Sequence, residues 1–85
     1  MEFLIVAFRS RAHTIKYANF LREINVAMEI INTPKEAGVG CGLSVKIRKE
    51  SFDVAKRVVL KLALSSFAGF FLVTTIQNKR IVRSV

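Results

Sequence analysis

The sequence predicts a single α+β domain with the order strand, helix, strand, strand, helix, strand. Continuous apolar runs at residues 3–8 and 70–76 have the composition of buried β-strands. Residues 43–48 alternate between apolar and polar side chains, which is typical of a half-buried strand. Two further stretches repeat apolar residues at steps of three and four, as helices do. A chain of 85 residues has room for one core, so we expect one domain.

In the first half of the chain, residues 3–8 are apolar throughout and predict a central strand that is buried on both faces. Ser10 is a suitable N-cap for a helix that runs to about residue 24. Its core-facing stripe contains Thr14, Tyr17, Phe20, Leu21 and Ile24. Residues 26–31 predict a second strand, which ends before a loop containing Pro34.

In the second half, residues 43–48 form the third predicted strand, and Ser51 is a candidate cap for a second helix. The buried side of that helix is expected to contain Phe52, Ala55, Val59 and Leu62. Gly69 interrupts the pattern before a final strand at residues 70–76. We therefore expect one domain over residues 1–78 and a basic C-terminal tail over residues 79–85, which either adds a short strand or frays.

This order of elements is that of the ferredoxin-like βαββαβ fold, an antiparallel sheet with both helices on one face. The first and last strands are apolar on both faces, whereas two helices cover only one. We therefore expect a second copy of the chain to cover the other face in a symmetric homodimer. Residues 62–76 lack charged side chains but are shorter than the roughly 20 residues of a membrane-spanning helix, so no membrane span is expected.

Composition narrows the range of functions. With 14 Lys and Arg against 6 Asp and Glu, the formal charge is +8. Such a charge attracts nucleic acid, anionic lipid or acidic proteins without specifying which. One cysteine excludes an intramolecular disulfide, a CxxC redox pair and a multi-cysteine zinc site. Residues 1–3 lack the basic region of a signal peptide, so we expect a cytoplasmic protein. The possible ligands Cys41, His13, Met28 and Met1 have no metal-site spacing, and we expect neither a metal nor a cofactor.

The candidate functional segment is the loop at residues 32–44, which contains the single cysteine, Cys41. Three glycines leave the backbone around the thiol uncrowded: Gly38, Gly40 and Gly42. A thiol in this setting is accessible to another molecule. In the alternative interpretation, Cys41 is a small apolar residue that fills a turn.

Several short motifs resemble those of the Se/S carrier-like family of small bacterial and archaeal proteins. They are Phe8-Arg9-Ser10, His13, Phe20-Leu21-Arg22-Glu23, Thr33-Pro34-Lys35 and Cys41-Gly42-Leu43-Ser44, followed by a basic residue at Lys46 or Arg48. The resemblance covers about residues 3–60. The chain departs from the family in a loop richer in glycine and in a more apolar final strand with a basic tail.

The resemblance implies that Cys41 carries sulfur or selenium as a persulfide or selenosulfide, with Gly40, Gly42 and Lys35 as its loop neighbours. The expected partners are a donor enzyme and an acceptor protein, so the chain is more a carrier than a stand-alone enzyme. Such a thiol must ionise and be exposed, and nearby positive charge favours the thiolate. The sequence candidates for that charge are Lys35, Lys46, Arg48 and Arg9.

Two other functions stay open. Nucleic-acid binding fits the charge and the fold, but the strand at residues 43–48 has no aromatic side chain for base stacking. Phosphate contacts through basic side chains would not need one; the candidates are Lys46, Arg48, Lys49, Lys56 and Arg57. The second alternative is a protein-interaction module with an inert Cys41. A Cys–His nucleophilic pair is not expected, because no motif directs His13 toward Cys41.

Overall fold

The computed structural model describes residues 1–39 and 41–85, and its described part contains five antiparallel strands and two α-helices. The elements are β1 (Glu2–Phe8), α1 (Arg11–Glu23), β2 (Met28–Asn32), β3 (Leu43–Ile47), α2 (Phe52–Leu62), β4 (Phe67–Ile76) and β5 (Lys79–Ser84). The strands lie in the order β2-β3-β1-β4-β5. Short 3₁₀ turns occur at Lys35–Ala37 and Lys49–Ser51.

The α+β prediction is confirmed, but the four-stranded βαββαβ order is incomplete. The segment expected as a basic tail forms β5, which pairs with β4 from Phe71↔Ser84 to Ile76↔Lys79. Gln77 and Asn78 adopt φ values of 50° and 65°. Two consecutive residues with positive φ form the tight turn that joins twisted antiparallel strands. The observed order is therefore β-α-β-β-α-β-β.

Both helices pack on one face of the sheet. Ser10 caps α1 by accepting a hydrogen bond from the His13 backbone N–H at 3.2 Å, as the sequence predicted. The Tyr17 hydroxyl donates to the Ala55 carbonyl at 2.8 Å and thereby links α1 to α2. Burial of this phenol raises the pKa of Tyr17 far above its ordinary value. Ile24 lies just beyond the end of α1 and is 41% exposed, so it does not extend the core stripe.

The opposite face of the sheet is covered by the chain itself. Ile5, Ala7 and Val73 are fully buried there, and Ala37 and Val39 pack against their cluster. The covering residues belong to the connection between β2 and β3, which folds back over the sheet. The apolar character that predicted a dimer is thus explained within one chain, and the homodimer itself stays a prediction.

The uncharged stretch at residues 62–76 forms the last residue of α2, a turn and β4. Gly69 lies within β4 at φ 141°, where the pairing of β1 with β4 shifts register. Among the described residues, no helix is long and apolar enough to cross a membrane.

Candidate functional site

The candidate site is the segment between β2 and β3, which we call the thiol loop (residues 33–42). Its base is closed by a hydrogen bond from the Thr33 backbone N–H to the Gly42 carbonyl at 2.8 Å. The hydroxyl oxygens of Thr33 and the buried Ser44 lie 2.7 Å apart and form a second link. Gly42 adopts φ 95°, a conformation that side-chain-bearing residues rarely adopt. These features fix how the chain enters and leaves the loop.

A bidentate ion pair fastens the far side of the thiol loop to the opposite edge of the sheet. Arg80 of β5 donates from Nη2 to Glu36 Oε1 at 2.9 Å and from Nε to Oε2 at 3.3 Å. These hydrogen bonds from Arg80 hold the pKa of Glu36 below its ordinary value of 4.5. The thiol loop therefore spans the sheet from the β2–β3 side to β5, and its residues Ala37 and Val39 pack against the sheet.

Cys41 lies near the end of this loop, close to the start of α1. Its side chain is exposed. The Sγ atom is 3.8 Å from Thr14 Oγ1 and 3.7 Å from the Leu43 carbonyl oxygen. Thr14 itself is buried and donates to the Ser10 carbonyl at 3.1 Å. The thiol is therefore held against a helix on one side and open to solvent on the other, which does not fit a buried, turn-filling cysteine.

The structure brings two of the predicted loop neighbours together. Lys35 is exposed on the 3₁₀ turn, and Gly42 directly follows Cys41. Both line an open surface depression of about 390 Å³, whose other lining residues are Thr33, Pro34, Gly38 and Val39. Gly40, the fourth predicted site residue, lies outside the described residues. The depression is therefore lined by residues of the same loop that carries the thiol.

Two other predicted cations lie away from the thiol. Strand β3 leads away from Cys41, and an extended strand advances about 3.3 Å per residue. Lys46 therefore lies near the other end of the sheet, where its Nζ is 4.5 Å from the Phe3 ring centroid and 4.0 Å from Glu29. Arg48 is 3.8 Å from Glu50. Both are surface ion-pair partners at that end.

Within the described residues, the His13 side chain forms no hydrogen bond with Cys41. Its Nδ1 lies 2.6 Å from the Ser66 hydroxyl, which joins α1 to the turn before β4. The side chain is half-buried rather than fully exposed. Within the residues that the structure describes, no group of three His, Cys, Asp or Glu side chains has the arrangement of a metal site.

Two residues beside or above the loop were not assigned to the site from the sequence. Thr14 was expected only as a core residue, because a helical stripe does not reveal which loop lies against it. Arg80 was expected in a basic tail. The available signal for a hairpin was the Gln77-Asn78 pair. Arg80, Val82 and Ser84 follow it at alternate positions, as on one face of a strand.

Fold and site together define a small α+β domain that presents one exposed thiol on a loop folded over its sheet. A family model described as "Putative Se/S carrier protein-like" matches residues 3–65. The chain belongs to this family, which confirms the resemblance carried by the sequence motifs. None of the curated proteins and none of the solved structures matches the chain.

Proposed function

We propose that the protein is a sulfur or selenium carrier and that Cys41 is the atom-accepting residue. The observation that carries this proposal is the exposed Cys41 thiol, in a chain that belongs to the Se/S carrier family. The chain has one cysteine, which suits a carrier, since a thiol oxidoreductase usually needs a second, resolving thiol.

The proposed loading step transfers one sulfur atom without net oxidation. The Cys41 thiolate attacks the terminal sulfur of a donor persulfide, so that a new S–S bond forms at Cys41. The S–S bond of the donor breaks, and the donor leaves as a thiolate. Selenium would be accepted in the same way as a selenosulfide. Release to an acceptor thiol is the reverse reaction with a different partner.

The thiol loop supports this exchange through the exposure of Cys41 and through the contacts that anchor the loop to the sheet. The link between Thr33 and Ser44 and the Glu36–Arg80 pair hold the loop at both sides. An exposed thiol can meet a partner's sulfur without unfolding of the domain. The open depression beside Lys35 leaves room for the partner's chain to approach.

Nucleic-acid binding through the sheet is less well supported. RNA-recognition sheets stack bases on aromatic side chains of their central strands, on the face without helices. Here that face is covered by Ala37 and Val39 of the thiol loop. Its aromatic residue on β1, Phe3, already has the Lys46 ammonium over its ring. A base would have to displace the protein's own covering segment.

Intact-protein mass spectrometry tests the proposal. The reduced protein is incubated with a cysteine desulfurase and cysteine, freed of reductant and weighed. We expect a gain of one sulfur atom that disappears on treatment with dithiothreitol and is absent in Cys41→Ser.

A synthetic peptide of residues 32–44 provides the matched control, because it carries the same thiol without the fold. Faster loading of the folded protein than of the peptide would support a carrier site. A folded protein that gains no sulfur while the peptide is loaded would refute the proposal.

A further inference from the structure

The ion pairs of the molecule are distributed unevenly between the two ends of the sheet, although exposed cations without an ion pair among the described residues, such as Arg22 and Lys79, also lie away from the thiol. We call the end with the thiol loop and the start of α1 the thiol end, and the end where β1 begins and β3 finishes the distal end. At the distal end, acids and bases pair: Glu2 with Lys49 at 2.7 Å, Glu29 with Lys46 at 4.0 Å, and Glu50 with Arg48 at 3.8 Å.

The thiol end has cations without such partners. Arg9, Arg11 and Lys35 are all exposed, and within the described part of the chain none of them forms an ion pair. The acid of the thiol loop, Glu36, is engaged by both Nε and Nη2 of Arg80. The thiol end therefore carries a net positive charge of its own.

These cations lie on the connection between β1 and α1, on the first turn of α1 and on the thiol loop. Arg11 precedes Thr14 by three residues on α1, and side chains at that spacing are neighbours on one helix face, about 5–6 Å apart at Cβ. Thr14 is the residue whose hydroxyl lies 3.8 Å from the Cys41 Sγ. Arg9 immediately precedes the helix cap, and Lys35 lines the depression next to Gly42.

We propose that Arg9, Arg11 and Lys35 form a docking surface for an acidic segment of the protein that exchanges sulfur with Cys41. The proposal rests on the proposed function and adds the chemical character of the partner. The depression at this end is open, and the cations are distributed over three segments rather than converging on a pocket. A charged protein surface fits this arrangement, because complementary charges steer association and fix orientation.

Disulfide exchange with charged peptides tests the proposal. Three peptides each carry one cysteine as a 2-pyridyl disulfide, with flanking residues of four Glu, four Ser or four Lys. The Cys41 thiolate attacks the peptide sulfur, a mixed disulfide forms and pyridine-2-thione leaves with the proton, so its absorbance reports the rate. At low salt we expect the Glu peptide to react roughly tenfold or more faster than the Lys peptide. The difference should shrink as salt shortens the screening length below about 10 Å.

A pair of triple variants separates local charge from total charge. In the test variant, Arg9, Arg11 and Lys35 are replaced by Gln. In the control, the same number of cations is removed away from the thiol end, through Arg22→Gln, Arg48→Gln and Lys79→Gln. Both variants lose three charges. We expect the preference for the Glu peptide to disappear in the test variant and to persist in the control. If the triple test variant does not fold, the single variant Arg11→Gln takes its place.

Equal rates for all three peptides, or equal losses in both triple variants, would overturn the proposal. Protection of Cys41 by a single-stranded RNA oligomer at physiological salt, with no protection by a Glu-rich peptide lacking cysteine, would assign the surface to nucleic acid instead. Sulfur loading is measured separately by mass. Loading without a charge preference would refute the docking surface alone, and a charge preference without loading would refute the carrier function alone.

Discussion

The two faces of the sheet are covered in different ways. On one face, two helices pack over a cluster rich in aromatic residues, in which Phe8 lies 5.1 Å from Tyr17 and Phe70 lies 5.2 Å from both Phe52 and Phe67. On the other face, a short loop contributes small side chains and one exposed ion pair. The helix face thus contains most of the apolar burial that stabilises the domain, while the thiol loop crosses the other face and brings Cys41 against the start of α1. The chemistry therefore lies at the end of the sheet where the thiol loop meets α1.

The largest expected effect is on the helix face. Leu21 is fully buried on the core-facing side of α1. Leu21→Ala should lower the free energy of unfolding by about 3 kcal/mol through lost burial and a cavity. Its counterpart on the loop face is Val39→Ala. We expect this variant to lower the free energy of unfolding by less than about 1 kcal/mol, since Val39 is partly exposed. Urea denaturation measures both. Similar losses in the two variants would show that the faces do not differ in this way.

Tyr17→Phe should give a smaller loss, because it removes the hydrogen bond to the Ala55 carbonyl and leaves that group without its partner. We expect urea denaturation to show a free energy of unfolding lower by about 1–2 kcal/mol, because the aromatic packing of the ring is retained. The rate of Cys41 alkylation should stay the same, since the lost bond lies between the helices. A large change in that rate would mean that the packing between the two helices affects the thiol.

Arg80→Gln should act locally on the loop face. Without its partner, Glu36 no longer fastens the thiol loop, and the Ala37 amide, which donates to the Pro34 carbonyl at 3.0 Å, should exchange its hydrogen severalfold faster. Arg83→Gln is the matched control, because Arg83 lies on the same strand but forms no ion pair among the described residues. Amide exchange in α1 should be unchanged in both variants. Equal loop exchange in the two variants would show that the ion pair does not hold the loop.

The same ion pair predicts a pH dependence. Hydrogen bonds from Arg80 lower the pKa of Glu36 in the folded protein below 4.5, so the pair stabilises the closed loop above pH 4.5. This contribution is lost as the pH falls through the lowered value. We expect the Arg80 Nε resonance to titrate below pH 4.5 and this titration to vanish in Glu36→Gln. Glu2 provides an internal comparison, because hydrogen bonds from Lys49 and Thr74 lower its pKa at the distal end. A titration of Arg80 that persists without Glu36 would contradict the assignment.

Local patterns in the sequence predicted most of the helix face. Ser10 marked the start of α1, and the helical repeat identified Tyr17 and Leu21 as core residues, because capping and periodicity are local properties. Less of the loop face could be predicted from the sequence. The pairing of Glu36 with Arg80 joins residues far apart in the chain, and it exists only because β5 extends the sheet. Cys41 was singled out by its loop, whereas its neighbour Thr14 depended on how the loop folds back onto α1.

The most direct test of the central claim, that the folded domain presents a thiol ready for exchange, is the alkylation rate of Cys41 by iodoacetamide at increasing urea. Because Cys41 is exposed in the folded chain, we expect alkylation at a rate close to that of the peptide of residues 32–44. This rate should not change until the unfolding transition is reached. Alkylation that is slow without urea and accelerates in step with global unfolding would contradict the claim, and Cys41 could then not act as a carrier in the folded protein.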